Sequence, residues 1–348
     1  MNWSRTISKS LLTIPGEFFH ALQRGRQFAY DLGLLKSCKA PIKVISVGNL
    51  VLGGSGKTPV VIWLAERLGS IGLSPAVVSR GYGGSNRDPF LIVTDGMSEQ
   101  PREDSTVVGD EPFLIASRLR GVPVLVGRKR IHPVMAAVNL FGSNVVILDD
   151  GFQHLSLERD LNLLVLVGNE HEMLPLIELR ESMSAVQRAD ALMLPRHAIV
   201  PEAFKSLKNK PIFRLGQKPV GLLFNKRFSE IVPPDTLRDR SVQLVSAIAR
   251  PERFAHTARN LGWQVVAHVV HRDHHFFSDR ELEHILNENP SMDIVFTEKD
   301  WVKLPDWFVN KDNTWALRID AEIDEEADFT HFVMRWIAPR VSDGVNVC

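Results

Sequence analysis

One stretch of the chain carries residues of the types and spacing that grip phosphate. Gly48-Asn49-Leu50-Val51-Leu52-Gly53-Gly54-Ser55-Gly56-Lys57-Thr58-Pro59 follows an apolar run, Lys43–Val47, and precedes residues with helical spacing. Glycines at 53, 54 and 56, with Ser55 between them, let successive backbone N–H groups turn toward one point. The helix that follows adds its positive dipole end, Lys57 can reach the β- and γ-phosphates, and the Thr58 hydroxyl can bind Mg²⁺. The usual pattern, G-x-x-x-x-G-K-[ST], has Gly where this chain has Val51, and the match is complete from Gly56 to Thr58. A plain glycine-rich turn is the alternative, and the strand–loop–helix setting favours nucleotide.

Such a loop needs an acidic partner at the end of another buried strand. Val145-Val146-Ile147-Leu148-Asp149-Asp150 supplies two carboxylates, which repel unless a cation neutralises them, and Mg²⁺ beside bound phosphates would do so. The alternative is a strand-ending aspartate that caps the next turn. Which of the pair touches Mg²⁺ stays open at this point.

These side chains imply a scaffold. From Pro41 onward short β-rich runs alternate with helical stretches. Lys43–Val47, Ala76–Ser79, Leu91–Val93, Val122–Val126, Val145–Leu148 and Leu161–Val167 read as strands, separated by helices such as Pro59–Leu68 and Glu111–Leu119. The alternation predicts right-handed crossovers and a P-loop NTPase-type α/β fold, a doubly wound and mostly parallel sheet. After a polar, Pro-containing region at 205–234, strands are expected at Val242–Ser246, Gln264–Val270 and Asp293–Thr297, with helices at Glu252–Leu261 and Asp279–Asn287. The reading is a P-loop domain over residues 41–220 and a second, smaller α/β domain with its linker over 221–348.

Composition narrows the function. The chain has 348 residues, 41 basic and 41 acidic, and a net charge of zero is unlike the cationic field of a general nucleic-acid binder. Cys38 and Cys348 form no CxxC pair, so neither a zinc site nor a disulfide framework is expected, and a reducing compartment fits. No secretory signal and no membrane-spanning run is evident, since the longest uncharged stretch, Ile131 to Leu148, is broken by Pro133 and Gly142-Ser143-Asn144. Residues 1–40 form an amphipathic N-terminal segment. Arg5, Lys9, Arg24, Arg26, Lys36 and Lys39 face only Glu17 and Asp31, and between them Trp3, Ile7, Leu11, Phe18, Phe19, Leu22, Phe28, Leu32 and Leu35 recur at helical spacing. That suits a helix lying on an anionic membrane surface, and equally a helix packed on its own domain.

Further strings make the pattern specific. The phosphate loop is followed by Ser79-Arg80-Gly81-Tyr82-Gly83, Val108-Gly109-Asp110-Glu111-Pro112 and Leu148-Asp149-Asp150-Gly151-Phe152-Gln153-His154. Then come Leu179-Arg180-Glu181, Arg188-Ala189-Asp190, Ala249-Arg250-Pro251-Glu252-Arg253-Phe254, Asp273-His274-His275 and Thr297-Glu298-Lys299-Asp300. In this order, and with the first loop glycine missing, the chain resembles the tetraacyldisaccharide 4'-kinase family. The resemblance implies transfer of the γ-phosphate of ATP, with Mg²⁺, to the 4'-hydroxyl of a tetraacylated glucosamine disaccharide 1-phosphate, giving the lipid IVA precursor of lipid A. It also implies a peripheral place at the cytoplasmic face of the bacterial inner membrane.

Roles follow from the resemblance. Asp110 accepts or orients the proton of the sugar hydroxyl, with His274 as its partner across the interdomain cleft; Val108-Gly109-Asp110-Glu111-Pro112 also reads as a helix start with Asp110 at the N-cap. Positioning and charge neutralisation matter more than base strength in a loose phosphoryl-transfer transition state. Glu111 and Asp150 are further members of the Mg²⁺ shell. Arg130 and Arg180 are clamps for ATP or the acceptor's 1-phosphate, although Gly127-Arg128-Lys129-Arg130 also reads as a solvated basic turn. Arg80 and Tyr82 sit in a glycine-rich loop able to close over the acceptor. A kinase acting on another lipid or sugar hydroxyl shares these motifs. A guanine-nucleotide switch would need N-K-x-D, and Asn225-Lys226-Arg227-Phe228 lacks the acid. Asp273-His274-His275 alone is also similar to metal-dependent phosphoesterases, which need several further acidic ligands.

Overall fold

The computed structural model describes residues 23, 25–30, 32–51, 56–166, 180–181, 183–196, 198, 210–225 and 230–338. Twelve strands occur among them: β1 Lys43–Gly48, β2 Pro75–Ser79, β3 Leu91–Thr94, β4 Val124–Val126, β5 Val145–Asp149 and β6 Leu161–Val165, then β7 Ala191–Pro195, β8 Ile212–Leu223, β9 Ser241–Ser246, β10 Gln264–Val270, β11 Asp293–Thr297 and β12 Thr314–Ile323. The chain forms two compact units. One comprises residues 1–57, 145–216 and 323–348; the other comprises 58–144 and 217–322.

In the first unit β1 lies between β5 and β6, and β7 pairs with β6, all parallel. The beginning of β8 extends the set, with Leu192 opposite Ile212 and Pro195 opposite Leu215. The inner strands read as unbroken Val, Ile and Leu because both of their faces are covered. Val47 is in register with Asp149. The phosphate loop after β1 and the acidic pair after β5 therefore leave the same carboxyl edge of adjacent parallel strands, where ligands bind in such sheets. Leu50, Val51, Phe152, Leu164, Val186, Leu192 and Leu194 bury one another beneath that edge. Helix Glu326–Ile337 closes this unit through Phe329, whose ring meets Phe213 edge-on at 4.8 Å between centroids.

In the second unit β9 lies between β10 and β11, with β12 beyond β11, all parallel. A further set holds β4 between β2, parallel, and β3, antiparallel. Helix Pro251–Asn260 buries Phe254, Ala255 and Ala258 against Val242, Leu244 and Val295. Helix Asp279–Glu288 begins with a capping box in which Ser278 and Glu281 satisfy each other's backbone N–H groups. Arg118, at the end of helix Asp110–Arg118, is almost fully buried. It donates to Glu298 at 3.2 Å, to the Ile319 carbonyl at 3.1 Å and to the Asp320 carboxylate. This fixes the helix to the turn Glu298–Trp301 and to β12.

Among the described residues no helix is long and apolar enough to cross a membrane. Ile7, Leu11, Phe18, Phe19 and Leu22 lie outside the described residues. Of the amphipathic segment that is described, Phe28, Leu32, Leu34 and Leu35 are all exposed.

Candidate active site

The site is built first from the two loops at the carboxyl edge of β1 and β5. Gly48 must be glycine because a Cβ there would stand 2.4 Å from the Cβ of Phe152. Gly151 is as constrained, since a Cβ there would lie 2.6 Å from Leu148 Cβ and 2.8 Å from Ser46 Oγ. In the turn after Asp150, Gln153 donates to the Asn49 carbonyl at 2.8 Å. The Asn49 side chain is fully buried, and neither its oxygen nor its nitrogen has a hydrogen-bond partner among the described residues. A buried amide in that condition is costly unless a ligand completes it, so Asn49 fits a position against nucleotide or metal.

Asp150 has a left-handed backbone, φ 54°, which Asp tolerates better than most residues. Its two oxygens are shared between cations. Lys57 Nζ is 2.9 Å from Oδ1, and Arg180 Nη1 is 2.5 Å from Oδ2. Arg180 is itself anchored by its backbone N–H on the Leu50 carbonyl at 2.7 Å. Burial would raise the Asp150 carboxyl, yet the Lys57 and Arg180 charges outweigh it and hold it at about 2. Asp149 is fully buried beside it, and Thr58 follows Lys57 in the first turn of the helix Lys57–Ser70. Hydroxyl and carboxylate oxygens of this kind suit a hard dication such as Mg²⁺. Gly53, Gly54 and Ser55 lie outside the described residues, while Gly56 has φ 77° as a glycine of the loop should.

In the second unit Asp110 does not take the N-cap place expected from its sequence. Gly109 does, with φ 93° and no room for a side chain, since a Cβ would lie 2.4 Å from the Tyr82 carbonyl. Asp110 becomes the first helical residue, and its carboxylate reaches a distant loop instead of its own helix. His274 Nδ1 lies 2.9 Å from Asp110 Oδ2. His274 has φ 63°, a conformation that costs on the order of 1–3 kcal/mol for a residue of this type, and its N–H bonds the Ala247 carbonyl at 3.2 Å. Strain held in place by a backbone bond is a mark of a functional residue.

Two lysines complete this group. Lys299 Nζ is 3.2 Å from Glu111 Oε1, 3.4 Å from Asp273 Oδ1 and 3.3 Å from His274 Nε2. Burial would lower the Lys299 ammonium, but Glu111, Asp273 and Asp110 together raise it. Lys303, its side chain closed from solvent, donates to Asp300 at 2.8 Å and to the His275 carbonyl at 2.9 Å, with Asp110 Oδ2 at 3.9 Å. Burial favours the neutral Asp110 acid, and the His274 hydrogen bond and the Lys303 charge reverse this, leaving the carboxyl below its usual range. Asp300 in turn holds Ala247, whose carbonyl accepts from the strained histidine, by accepting from the Ala247 N–H at 2.9 Å, and it accepts from the Thr297 hydroxyl at 2.6 Å. Sequence reasoning placed Lys299 and Asp273 within motif strings but assigned neither a role, and Lys303 lay outside every string.

The remaining predicted residues separate. Tyr82 is exposed, with its ring centroid 5.7 Å from that of His274, and Gly83 lies near Asp110 Oδ1, so the Gly81–Gly84 loop adjoins the pair. Arg80, at the head of that loop, is also exposed. Arg130 is buried and donates to the Gly127 and Arg128 carbonyls of its own turn, at 3.2 and 3.4 Å. His271, His275 and Glu281 have ligand atoms close enough for a metal ion. The two rings, however, stack 4.4 Å apart at 10°. Imidazole binds metals in its ring plane, and one ion cannot lie in two stacked planes.

The chain matches the Tetraacyldisaccharide-1-P 4'-kinase family over residues 8–338. The chain belongs to this family. Among its relatives, a tetraacyldisaccharide 4'-kinase of Anaeromyxobacter sp. (strain Fw109-5) is 38% identical over 90% of this chain and 87% of its own. One of Desulfatibacillum aliphaticivorans is 33% identical over 94% and 92%. A solved structure of LpxK from Aquifex aeolicus in complex with ATP superposes with a TM-score of 0.75 at 31% identity, over 94% of this chain and 99% of that one. Arg188 pairs with Glu181, bonds Gln27 at 2.6 Å and lies 4.7 Å over the Phe152 ring, while Asp190 accepts from the Asn162 N–H at 2.8 Å.

Proposed function

We propose that this protein is a tetraacyldisaccharide 4'-kinase that moves the γ-phosphate of ATP to the 4'-hydroxyl of a tetraacylated glucosamine disaccharide 1-phosphate. The observation that carries the reading is the buried Asp110 carboxylate, bonded to the strained His274, in a member of this kinase family whose phosphate loop ends in Gly56-Lys57-Thr58. Lys57 and the loop N–H groups hold the phosphates, Arg180 adds a second cation beside them, and Asn49 completes its amide on the nucleotide. Asp110 receives or orients the acceptor hydroxyl's proton, with His274 fixing the carboxylate. Thr58, Asp149 and Asp150 would hold Mg²⁺, which supplies charge neutralisation on the phosphate oxygens. We assign Glu111 to the Lys299 ion pair instead of that shell. Arg80, Tyr82 and Arg130 belong to the acceptor side, Tyr82 because its exposed ring stands beside His274.

In this reading the exposed Phe28, Leu32, Leu34 and Leu35 meet an anionic membrane surface at the cytoplasmic face of the inner membrane. The test is γ-labelled ATP with purified protein and a panel of acylated disaccharide, monosaccharide and phospholipid acceptors. Label in the acylated disaccharide alone supports the reading. Label in another acceptor, or none with folded protein, overturns it.

A further inference from the structure

His274 offers its two ring nitrogens to opposite kinds of partner. Nδ1 faces the Asp110 carboxylate at 2.9 Å, and Nε2 faces the Lys299 ammonium at 3.3 Å. An ammonium has donors only, and an ionised carboxylate accepts only. A ring protonated on Nε2 alone would set N–H against ammonium and lone pair against carboxylate. An imidazolium would relieve the second clash and keep the first. Asp273 does not change the outcome, because its Oδ1 is 3.9 Å from Nε2, beyond hydrogen-bond reach, and is nearer to Lys299 at 3.4 Å. One state satisfies both contacts, the neutral ring with its proton on Nδ1.

We propose that Lys299 is a positioning residue that fixes His274 as the neutral Nδ1–H tautomer, so that Asp110, and not the ring, takes the acceptor's proton; the proposal rests on the kinase reading. The His274 Nδ1 already carries a hydrogen and can relay nothing from Asp110 without losing it at Nε2, where Lys299 stands. Asp110 Oδ2 is taken by the ring, which leaves Oδ1, the oxygen beside Gly83, as the basic atom. In the transfer the hydroxyl O–H bond breaks and its proton goes to Asp110 Oδ1. The hydroxyl oxygen bonds the γ-phosphorus, the bond from that phosphorus to the β–γ bridging oxygen breaks, and ADP leaves with the electron pair. Asp110 then returns its proton to water. Lys299 reaches His274 because Glu111 and Asp273 hold it from two elements, the helix Asp110–Arg118 and the loop after β10.

Histidine-ring ¹⁵N NMR on the full chain reads the tautomer without nucleotide or acceptor, with His274→Gln identifying the signal. The wild type should show Nδ1 protonated and Nε2 bare. Lys299→Met should lose that pattern and slow turnover roughly 10²-fold, with the KM for ATP unchanged. Lys299→Arg, also donor-only at this position, should keep the pattern and recover most of the rate. An Nε2–H or doubly protonated His274 in the wild type overturns the proposal, and so does a folded Lys299→Met protein with the wild-type spectrum. If Lys299→Met does not fold, the wild-type spectrum and Lys299→Arg still decide. Failure of the kinase reading is seen separately, as wild-type protein that transfers no phosphate to the acylated disaccharide.

Discussion

His274 Nδ1 and Asp110 Oδ2 lie 2.9 Å apart although 164 residues separate them in the chain, and Asp110 is closed from solvent while the ring is partly open. A carboxylate so enclosed keeps its charge only through its partners. If the two act as one unit, Asp110→Ala and His274→Ala should each lower turnover by roughly 10²–10⁴, and the double variant little further. ATP affinity should persist in all three. Rate losses that multiply in the double variant would mean that the residues act independently.

Lys57→Ala should reduce turnover by about 10²-fold or more, as expected on losing a charge aimed at the transferring phosphate. Its melting temperature should fall modestly, because Asp150 keeps Arg180 at 2.5 Å. Steady-state kinetics beside thermal unfolding checks this, and near-normal activity in the folded variant would remove the phosphate-loop assignment.

The same ion pairs predict an acid-stability effect. The Asp150 carboxyl is held at about 2 in the folded chain, below its ordinary value near 3.9. A depressed folded pKa adds stability that is fully present above about pH 4 and is lost as pH falls toward 2. The term is on the order of 2 kcal/mol. Urea unfolding of wild type and Asp150→Asn should therefore differ by about that amount at pH 6, and the gap should close between pH 4 and pH 2. A gap that widens on acidification would contradict the pairing.

Asn49→Ala separates binding from folding. The buried amide lacks partners among the described residues, so its loss should leave stability within about 1 kcal/mol of wild type. ATP affinity should fall about tenfold, the scale of one lost contact near 1.4 kcal/mol. Calorimetric titration together with melting decides; normal affinity with a large drop in stability would make Asn49 a packing residue.

Changing Phe28, Leu32 and Leu34 to Ser should weaken sedimentation with anionic vesicles and activity on vesicle-embedded acceptor. Each fully inserted side chain contributes up to about 1.5–3 kcal/mol. Activity on detergent-dispersed acceptor should fall less. Unchanged vesicle binding would place the membrane contact elsewhere.

The strands that frame the phosphate loop were readable because β1, β5 and β6 are buried on both faces and appear as continuous Val, Ile and Leu. β8 was not, since Gly216, Pro219 and Gly221 interrupt it, with Arg214 and Lys218 alongside, and it reads as a polar connection. β12 carried a legible alternation, Leu317, Ile319, Ala321 and Ile323 against Arg318, Asp320 and Glu322, which charged residues disguise as a loop. At the site, Lys57, Asp110 and His274 stood out by motif. Lys299 did not, because its task depends on side chains that only the fold brings to it, Glu111 from one helix and His274 from a strained loop. Asp110 was misplaced by one position because Asp is a better N-cap than Gly by type, and here the close approach of Tyr82 admits only Gly109.

The most direct test of the central claim is the position of the phosphate on the product. Wild-type protein, ATP and tetraacylated disaccharide 1-phosphate should yield one new species by ³¹P NMR and fragmentation mass spectrometry, a bisphosphate with its second group on the 4'-oxygen. Asp110→Asn, still binding ATP, should yield almost none. A phosphate found on any other oxygen, or full product formation by Asp110→Asn, would contradict the account.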